Sequence, residues 1–268
     1  MANILVDESK PKNVDEYRTW LKKRLSVEIT ARTSTYYESV LNAAAAQIRH
    51  SHFWVNLGQQ LQEIDDAYWL KTDYKLFATS DTPLLQTKPF ASAISKSFRK
   101  NVLLNKNWPD PPQEGWIVPE NWFLRLNDLI RTLFIVKYAD GVQYLVERIT
   151  ETANGTGDSC KSFYEARDEG YYAAHVYLRQ PCEVPRISWD TETINLSFEI
   201  QVTTQLQEVI RRLLHKYYES SRESRRSDFP WQWDFGKDEF FANNLGHVLH
   251  YIEGTIVDLR KRQGESNK

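Results

Sequence analysis

The stretch FEIQVTTQLQEVIRRLLHKYYES, residues 198–220, decides the fold, because a strand pattern in it runs directly into a helix pattern. Alternation over 198–203 assigns one strand face to Phe198, Ile200 and Val202 and the other to Glu199, Gln201 and Thr203. Thr204 and Gln207 form a capping-box pattern, which predicts a helix over 204–220. The polar strand face is predicted to point toward water or a wet cleft.

The predicted helix has two contrasting faces. Its apolar positions recur at helical spacing and predict a buried face of Leu206, Val209, Ile210, Leu213, Leu214 and Tyr217. The other face displays Glu208, Arg212, His215, Lys216 and Glu219. Taken alone, such a polar face is most simply a solvated surface.

Composition is that of a globular protein with an unusual aromatic content. The chain has 268 residues, which is enough for one sizeable α/β core with helical extensions. Aromatic residues make up 13% of it, and the nine tryptophans are expected in the core and in the walls of a cleft. The formal net charge of −2 gives no global argument for binding nucleic acid or membranes.

The two cysteines, Cys160 and Cys182, form neither a CxxC pair nor a zinc-type cluster. This pattern is typical of a reducing cytosol and of buried, inert thiols. The N-terminal stretch lacks the charged and apolar regions of a signal peptide, and no stretch approaches the length of a membrane span. The sequence therefore predicts a soluble, cytoplasmic protein with no membrane partner.

Along the rest of the chain, helical and strand patterns alternate. Helices are predicted over 13–24, 31–75, 88–101, 142–152 and 238–262, and strands over 130–138, 160–170, 171–180 and 194–203. Thr87 is the predicted N-cap of the helix at 88–101, with Pro89 in its first turn. This order predicts an α/β fold of the α+β type.

Two further groups of polar residues bear on chemistry. Lys88, Ser92 and Lys96 recur every four residues along one helix face, which Arg99 and Lys100 extend, and aligned cations at a helix start suit a polyphosphate. Asp128 precedes an apolar strand, where it is either a turn residue or a Mg²⁺ ligand.

Strand alternation in GYYAAHVYL, residues 170–178, assigns Tyr171, Ala173, His175 and Tyr177 to one face. Tyr171 and His175 would lie roughly 13 Å apart along the strand. If this strand pairs antiparallel with 195–203, an aromatic ring, an imidazole and a carboxylate share one face, over a span that suits a nucleotide.

In this order the pieces resemble the synthetase domain of the RelA/SpoT family of alarmone synthetases, over roughly residues 86–218. The most specific parts are GYYAAH and FEIQVTTQ…LLHKY. The resemblance implies a nucleotidyltransferase-like mixed sheet flanked by helices, with a helical extension over 1–85, a synthetase core over 86–220 and a C-terminal loop and helix over 221–268. It also implies transfer of the β,γ-pyrophosphate of ATP to the 3′-hydroxyl of GDP, GTP or another purine nucleotide.

The resemblance carries roles onto particular residues. It implies ATP-phosphate binding by Lys88, Ser92, Lys96, Arg99 and Arg131, and acceptor binding by Tyr171, His175, Gln201, His215 and Lys216. Asp128 and Glu199 are the expected catalytic carboxylates and ligands of Mg²⁺, and Glu199 activates the 3′-hydroxyl. Mg²⁺ chemistry agrees with this, because the ion prefers one or two carboxylates plus substrate phosphates.

The chain departs from the family pattern at four positions. Gln86 and Leu133 stand where arginines are usual, Ala173 stands for a serine, and Thr203 stands for the arginine of Glu-Ile-Gln-x-Arg-Thr. Arg131, two residues before Leu133, lies on the same strand face and would still reach a nucleotide. None of the six histidines is followed by Asp, so the metal site of the family's hydrolase half is not apparent.

Three alternatives stay open at this point. The same chemistry on the 3′ end of tRNA would make the chain a toxin, with an antitoxin or regulatory partner to be considered; its motivation is local basicity at Lys22, Lys23, Arg24, Arg211, Arg212, Arg222, Arg225 and Arg226. A catalytically inactive nucleotide-binding module, or a helical adaptor with a small α/β core, would keep the fold without the reaction. The sequence is silent on oligomeric state and on a role in growth control, phage defence or the stringent response.

Overall fold

A mixed five-stranded sheet and eight helices make up the described part of the chain, residues 9–79, 81–186, 190–213 and 230–266 of a computed structural model. The helices are α1 (Val14–Leu25), α2 (Ala31–Arg49), α3 (His52–Thr72), α4 (Phe90–Phe98), α5 (Trp122–Arg125), α6 (Ala139–Thr156), α7 (205–213) and α8 (Asp238–Ser266). The strands are β1 (Gln86–Thr87), β2 (Ile130–Val136), β3 (Ser159–Ala166), β4 (Tyr172–Pro185) and β5 (Thr191–Thr204), in the spatial order β1-β2-β5-β4-β3. The predicted α+β class is confirmed.

Two helix boundaries differ from the predictions. The continuous helix predicted over 31–75 is two helices, because Ser51 has extended backbone and its side chain accepts a hydrogen bond from the N–H of Trp54, which caps α3. Thr87 is not the N-cap of α4, since it lies in β1 opposite Ile130 and Pro89 takes the cap position. The two-residue strand β1 is too short for a periodicity to reveal it.

The residues divide into two compact units, each with its own core. The first comprises Met1–Arg49, Leu85–Arg131 and Arg179–Phe198. Helices α1 and α2 pack there against α4, and aromatic rings fill much of the space between them, as the composition predicted. Trp20 contacts Trp108 and Trp116, while Tyr37 contacts Phe90, Trp122 and Phe123.

The second unit comprises His50–Leu84, Thr132–Leu178 and Glu199–Lys268. Helix α6 packs against α3, α8 and strand β3. The turn before β4 packs unusually closely on α8, because a Cβ on Gly170 would lie 2.3 Å from the carbonyl oxygen of Asn243. Gly170 also has a φ of +74°, so two independent features require glycine there.

The predicted orientation of α7 is wrong. Leu206, Val209 and Leu213 are exposed, whereas Gln207 and Glu208 are buried. The amide of Gln207 donates to the carbonyl of Gly246 in α8, and the guanidinium groups of Arg211 and Arg212 bind both oxygens of Glu208. Polar residues can occupy the inner face because these contacts satisfy them. Leu214 and Tyr217, from the same prediction, lie outside the described residues.

Both cysteines are free, as predicted, and burial raises their pKa, that of Cys182 to about 11. A thiol held protonated in this way is a poor nucleophile. Within the described ranges, no helix combines the length and apolar character that crossing a bilayer demands.

Candidate active site

Lys88 is held in place in the first unit by its backbone. Its N–H donates to the carbonyl of Leu129 at 2.7 Å, and its own carbonyl accepts from the Tyr37 hydroxyl at 2.8 Å. Burial raises the pKa of Tyr37, and the Asp128 carboxylate adds to the effect, so the hydroxyl remains a donor. These bonds fix the start of the Lys88 side chain between β1 and α4.

Lys88, Lys96 and Asp128 form the lysine–aspartate cluster. The Nζ of Lys88 lies 2.8 Å from Oδ2 of Asp128, and the Nζ of Lys96 lies 2.6 Å from Oδ1. Burial alone would favour the neutral acid, but the charges of Lys96 and Lys88 outweigh it and lower the pKa of Asp128 to about 2. The cluster is therefore a pair of cations around one ionised carboxylate.

The other predicted phosphate-side residues lie around this cluster. Arg131 faces Gln86 across the β1–β2 pair, and its charge contributes to lowering the pKa of Lys88, after burial. Ser92 is exposed in the first turns of α4, and Arg99 is exposed at its end. Burial lowers the pKa of Lys100, which has a half-buried side chain. The charge of Lys96 lowers this pKa further, whereas the charge of Asp128 opposes the effect.

The second unit holds the tyrosine–histidine cluster, formed by Tyr171, His175, Glu199 and Gln201. His175 Nδ1 contacts Oε1 of Glu199, and the Tyr177 hydroxyl donates to the same oxygen at 3.2 Å. The Gln201 amide donates to the Tyr171 hydroxyl, which lies 3.4 Å from His175 Nε2. Strand alternation thus predicted correctly which side chains share a face. The rings of Tyr171 and His175 lie closer together than the roughly 13 Å expected along a strand, with centroids 6.2 Å apart.

Three residues of this cluster's surroundings were missed by the sequence predictions. Glu165 Oε2 lies 3.0 Å from His175 Nε2, so the imidazole sits between two carboxylates. Arg167 pairs with Glu165 at 2.8 Å and lies over the Tyr171 ring, 5.1 Å from its centroid. Phe163 stacks on His175. Alternation of Phe163, Glu165 and Arg167 in the sequence was the available signal, although it did not say which strand they face.

The polar face of β5 is more buried than predicted. Glu199 is 6% exposed and Thr203 is 3% exposed, and the side chains of His175 and Tyr177 contact the Glu199 carboxylate. The Thr203 hydroxyl donates to the backbone carbonyl of Tyr172, and this hydrogen bond links β5 to β4. Burial raises the pKa of Tyr171 well above its usual range, and the nearby Glu165 carboxylate adds to this.

Two predicted site residues, His215 and Lys216, lie outside the described residues. In the parts of the chain that the structure describes, no three His, Cys, Asp or Glu side chains cluster closely enough to hold a metal ion by themselves. Asp128 can still serve a Mg²⁺ ion that takes its other ligands from substrate phosphates and water.

Solved structures of known proteins resemble this chain in fold. Small alarmone synthetase 1 from Bacillus subtilis matches with a TM-score of 0.53 and 14% identity, over 87% of this chain and 97% of that one. The same protein bound to its product pppGpp matches with a TM-score of 0.53 and 14% identity, over 82% and 94%. A GTP pyrophosphokinase family protein from Streptococcus pneumoniae matches with a TM-score of 0.51 and 16% identity, over 88% and 98%.

Neither a protein-family model nor a curated protein matches the chain by sequence. The likeness therefore lies in the arrangement of the sheet and helices. The likeness spans 97% and 98% of two of the solved chains. The chain has the fold of the small alarmone synthetases.

Proposed function

We propose that this protein transfers the β,γ-pyrophosphate of ATP to the 3′-hydroxyl of a purine nucleotide, GDP or GTP. The observation that carries the proposal is the contact of Glu199 with His175 and Tyr177, beside Tyr171, on this fold. The same fold occurs in a synthetase solved with its product pppGpp. A carboxylate held by two side chains next to an aromatic ring suits a base that acts on a bound nucleoside.

In the proposed reaction the 3′-hydroxyl oxygen attacks the β-phosphorus of ATP. The bond between that phosphorus and the oxygen bridging to the α-phosphate breaks, AMP leaves with the bonding electrons, and the hydroxyl proton passes to Glu199. His175 positions Glu199, and Glu165 positions His175. The purine ring of the acceptor nucleotide stacks on the ring of Tyr171, which Arg167 and Gln201 already hold in place.

The lysine–aspartate cluster supplies the phosphate side of the proposed reaction. Lys88 and Lys96 would bind the triphosphate, and the start of α4 offers backbone N–H groups. Mg²⁺ would be held by Asp128 together with the phosphates, and when bound it offsets charge that develops as AMP leaves. We propose that Glu199 acts as the general base and that Asp128 is the carboxylate that holds the metal.

The departures from the family pattern leave these groups intact. Arg131 lies directly opposite Gln86 in the β1–β2 register, and side chains so paired lie about 5 Å apart at Cβ. An arginine is therefore present beside the position where the family usually has one. Ala173 has no polar side-chain group, and the Thr203 hydroxyl already donates to the carbonyl of Tyr172.

The tRNA alternative loses part of its motivation in the structure. Lys22 pairs with Glu28 at 2.7 Å, and the single carboxylate of Glu208 binds both Arg211 and Arg212 and offsets one of their two positive charges. Arg222, Arg225 and Arg226 lie outside the described residues. We therefore propose the free nucleotide as the acceptor.

The acceptor can be identified by incubating the protein and Mg²⁺ with ATP labelled on the γ-phosphate and, separately, GDP, GTP or deacylated tRNA. The proposal predicts label in a guanosine polyphosphate and one AMP released per transfer. Label only in tRNA would make the chain a tRNA-modifying toxin. Absence of AMP with every acceptor would favour the inactive nucleotide-binding module or the helical adaptor.

A further inference from the structure

Helix α8 contacts the turn that carries Tyr171. This turn, residues 167–171, joins β3 to β4, and within it the N–H of Gly170 donates to the carbonyl of Arg167 at 2.9 Å. The N–H of Arg167 donates to the carbonyl of Tyr171 at 3.0 Å. Residues 166–168 are exposed, whereas Gly170 is buried. The contacts at the buried end of the turn therefore do most to fix its position.

The first contact joins two backbones. A Cβ on Gly246 of α8 would lie 2.2 Å from the carbonyl oxygen of Gly170, so the turn and the helix meet with no side chain between them. Gly246 is itself buried. A displacement of α8 at this point would therefore displace the turn.

His247, the next residue of α8, adds two hydrogen bonds. Its Nε2 lies 2.8 Å from the carbonyl oxygen of Asp168, and its Nδ1 lies 2.8 Å from the hydroxyl of Tyr172. The carbonyl can only accept, so Nε2 donates to it and Nδ1 accepts from the hydroxyl. One imidazole thus links Asp168, inside the turn, to Tyr172, the first residue of β4.

Tyr172 is held at two further points. The ring of His250, also on α8, stacks on the Tyr172 ring, with centroids 3.7 Å apart and an interplanar angle of 9°. The carbonyl of Tyr172 accepts from the Thr203 hydroxyl of β5 at 3.0 Å. The ring, the hydroxyl and the main chain of Tyr172 are therefore all fixed by neighbouring elements.

Tyr171 and Tyr172 are adjacent but face opposite ways. Successive side chains of an extended chain point to opposite faces, and here the Gln201 amide donates to the Tyr171 hydroxyl while Tyr172 faces α8. One planar peptide bond joins the two residues. Contacts that fix Tyr172 from α8 therefore also limit where the ring of Tyr171 can lie.

We propose that His247 is a positioning residue for the acceptor nucleotide, because it holds the turn at 167–171 so that the ring of Tyr171 is placed for base stacking. The inference rests on the proposed function, in which the acceptor stacks on Tyr171. His247 acts through the turn and not on the reacting atoms. Its contribution is therefore the same before and during the reaction, and its loss raises the acceptor KM without lowering kcat.

Amide hydrogen exchange tests the structural part without any turnover. The N–H groups of Arg167 and Gly170 donate within the turn, so they are expected to exchange slowly in the wild type. His247→Ala removes two hydrogen bonds and is expected to speed this exchange at least about 10-fold. His52→Ala, at an exposed histidine on α3, is expected to leave it unchanged. Wild-type exchange in His247→Ala would overturn the proposal.

Steady-state kinetics test the link to the acceptor. His247→Ala is expected to raise the KM for GDP or GTP about 10-fold and to change kcat and the KM for ATP less than about 2-fold. His247→Gln keeps a donor for the Asp168 carbonyl and is expected to recover part of the loss. Tyr172→Phe should add little to His247→Ala, since the two side chains share one hydrogen bond. A lower kcat with an unchanged acceptor KM would overturn the proposal.

Failure of this inference and failure of the proposed function give different results. A wild type that releases no AMP with any acceptor would contradict the proposed function. Titration of GDP by calorimetry needs no turnover and still measures acceptor binding, which His247→Ala is expected to weaken about 10-fold. Equal affinity of the wild type and His247→Ala for GDP would overturn the positioning role of His247.

Discussion

Lys88 and Asp128 form an ion pair with an Nζ–Oδ2 distance of 2.8 Å, and Lys96 occupies the other carboxylate oxygen. A divalent cation cannot bind Asp128 well while both oxygens face ammonium groups. The phosphates of ATP compete for the same lysines, so a bound nucleotide would draw them away from the carboxylate. Nucleotide and metal are therefore expected to bind together.

This relationship predicts how the site takes up metal. Titrated with Mn²⁺ and followed by electron paramagnetic resonance, the wild type should bind the ion weakly alone and at least about 10-fold more tightly with a non-hydrolysable ATP analogue. Lys96→Met should strengthen binding of Mn²⁺ alone, whereas Lys106→Met, at an exposed lysine, should not. Tight Mn²⁺ binding by the wild type without nucleotide would contradict this account.

The same cluster makes stability depend on acid pH. The pKa of Asp128 is lowered from 3.8 to about 2 in the folded protein, so the ionised carboxylate stabilises the fold above pH 3.8. This contribution, up to about 2 kcal/mol, is lost as pH falls from about 4 toward 2.

Urea unfolding of the wild type and Asp128→Asn at pH 7, 4 and 2.5 checks this expectation. The free-energy difference between the two should shrink as the pH falls, while Asp81→Asn, at an exposed aspartate, should show little difference at any pH. A difference that is constant with pH would mean that Asp128 is not held ionised by its lysines.

The close packing of the turn at 170 on α8 predicts a sharp contrast between two glycines. Gly170→Ala places a Cβ 2.3 Å from the Asn243 carbonyl, while Gly115→Ala, also at positive φ (+84°), meets nothing within 4 Å. Gly115→Ala should lower the free energy of unfolding only by the cost of a left-handed backbone at alanine, about 1–2 kcal/mol. Gly170→Ala should lower it by several kcal/mol, because of the added steric clash. Thermal unfolding measures both, and equal losses would show that the Gly170–α8 contact is absent in solution.

Tyr171 is predicted to act through its ring rather than its hydroxyl. Tyr171→Ala should raise the KM for the acceptor about 10- to 100-fold, because base stacking on an aromatic side chain contributes about 1–3 kcal/mol. Tyr171→Phe keeps the ring under Arg167 and should change KM only a few-fold. Steady-state kinetics at saturating ATP separate the two, and similar losses in both variants would show that the hydroxyl matters more than the stack.

Sequence reasoning located most elements because their patterns are local. The alternation in β4 and β5 was enough to locate these strands, and Thr204 was enough to locate the start of α7. The N–H of Gln207 does donate to the Thr204 hydroxyl, at 3.2 Å. The side chain of Gln207, however, reaches Gly246 instead of completing a capping box. That choice depends on α8, which lies some forty residues further along the chain and contributes nothing to a local pattern.

The inverted face of α7 and the role assigned to Glu165 have the same physical origin. Helical periodicity assigns Leu206 and Val209 to the interior, but Glu208 can be buried once Arg211 and Arg212 neutralise it. Glu165 carries no motif, and only the strand order β4-β3 brings it to His175. The ion pairs of Glu208 are local, but the face of α7 that is buried is chosen by contacts such as that of Gln207 with Gly246 in α8. Glu165 likewise reaches His175 through the pairing of strands, which a local sequence pattern does not reveal.

The most direct test of the proposed reaction is Glu199→Gln. AMP release from ATP with GDP or GTP should fall at least about 1,000-fold, since the amide cannot accept the hydroxyl proton, while calorimetry should show nucleotide binding and circular dichroism an unchanged fold. Retention of wild-type AMP release and guanosine polyphosphate synthesis in Glu199→Gln would contradict the assignment of Glu199 as the base, and with it the account of this site.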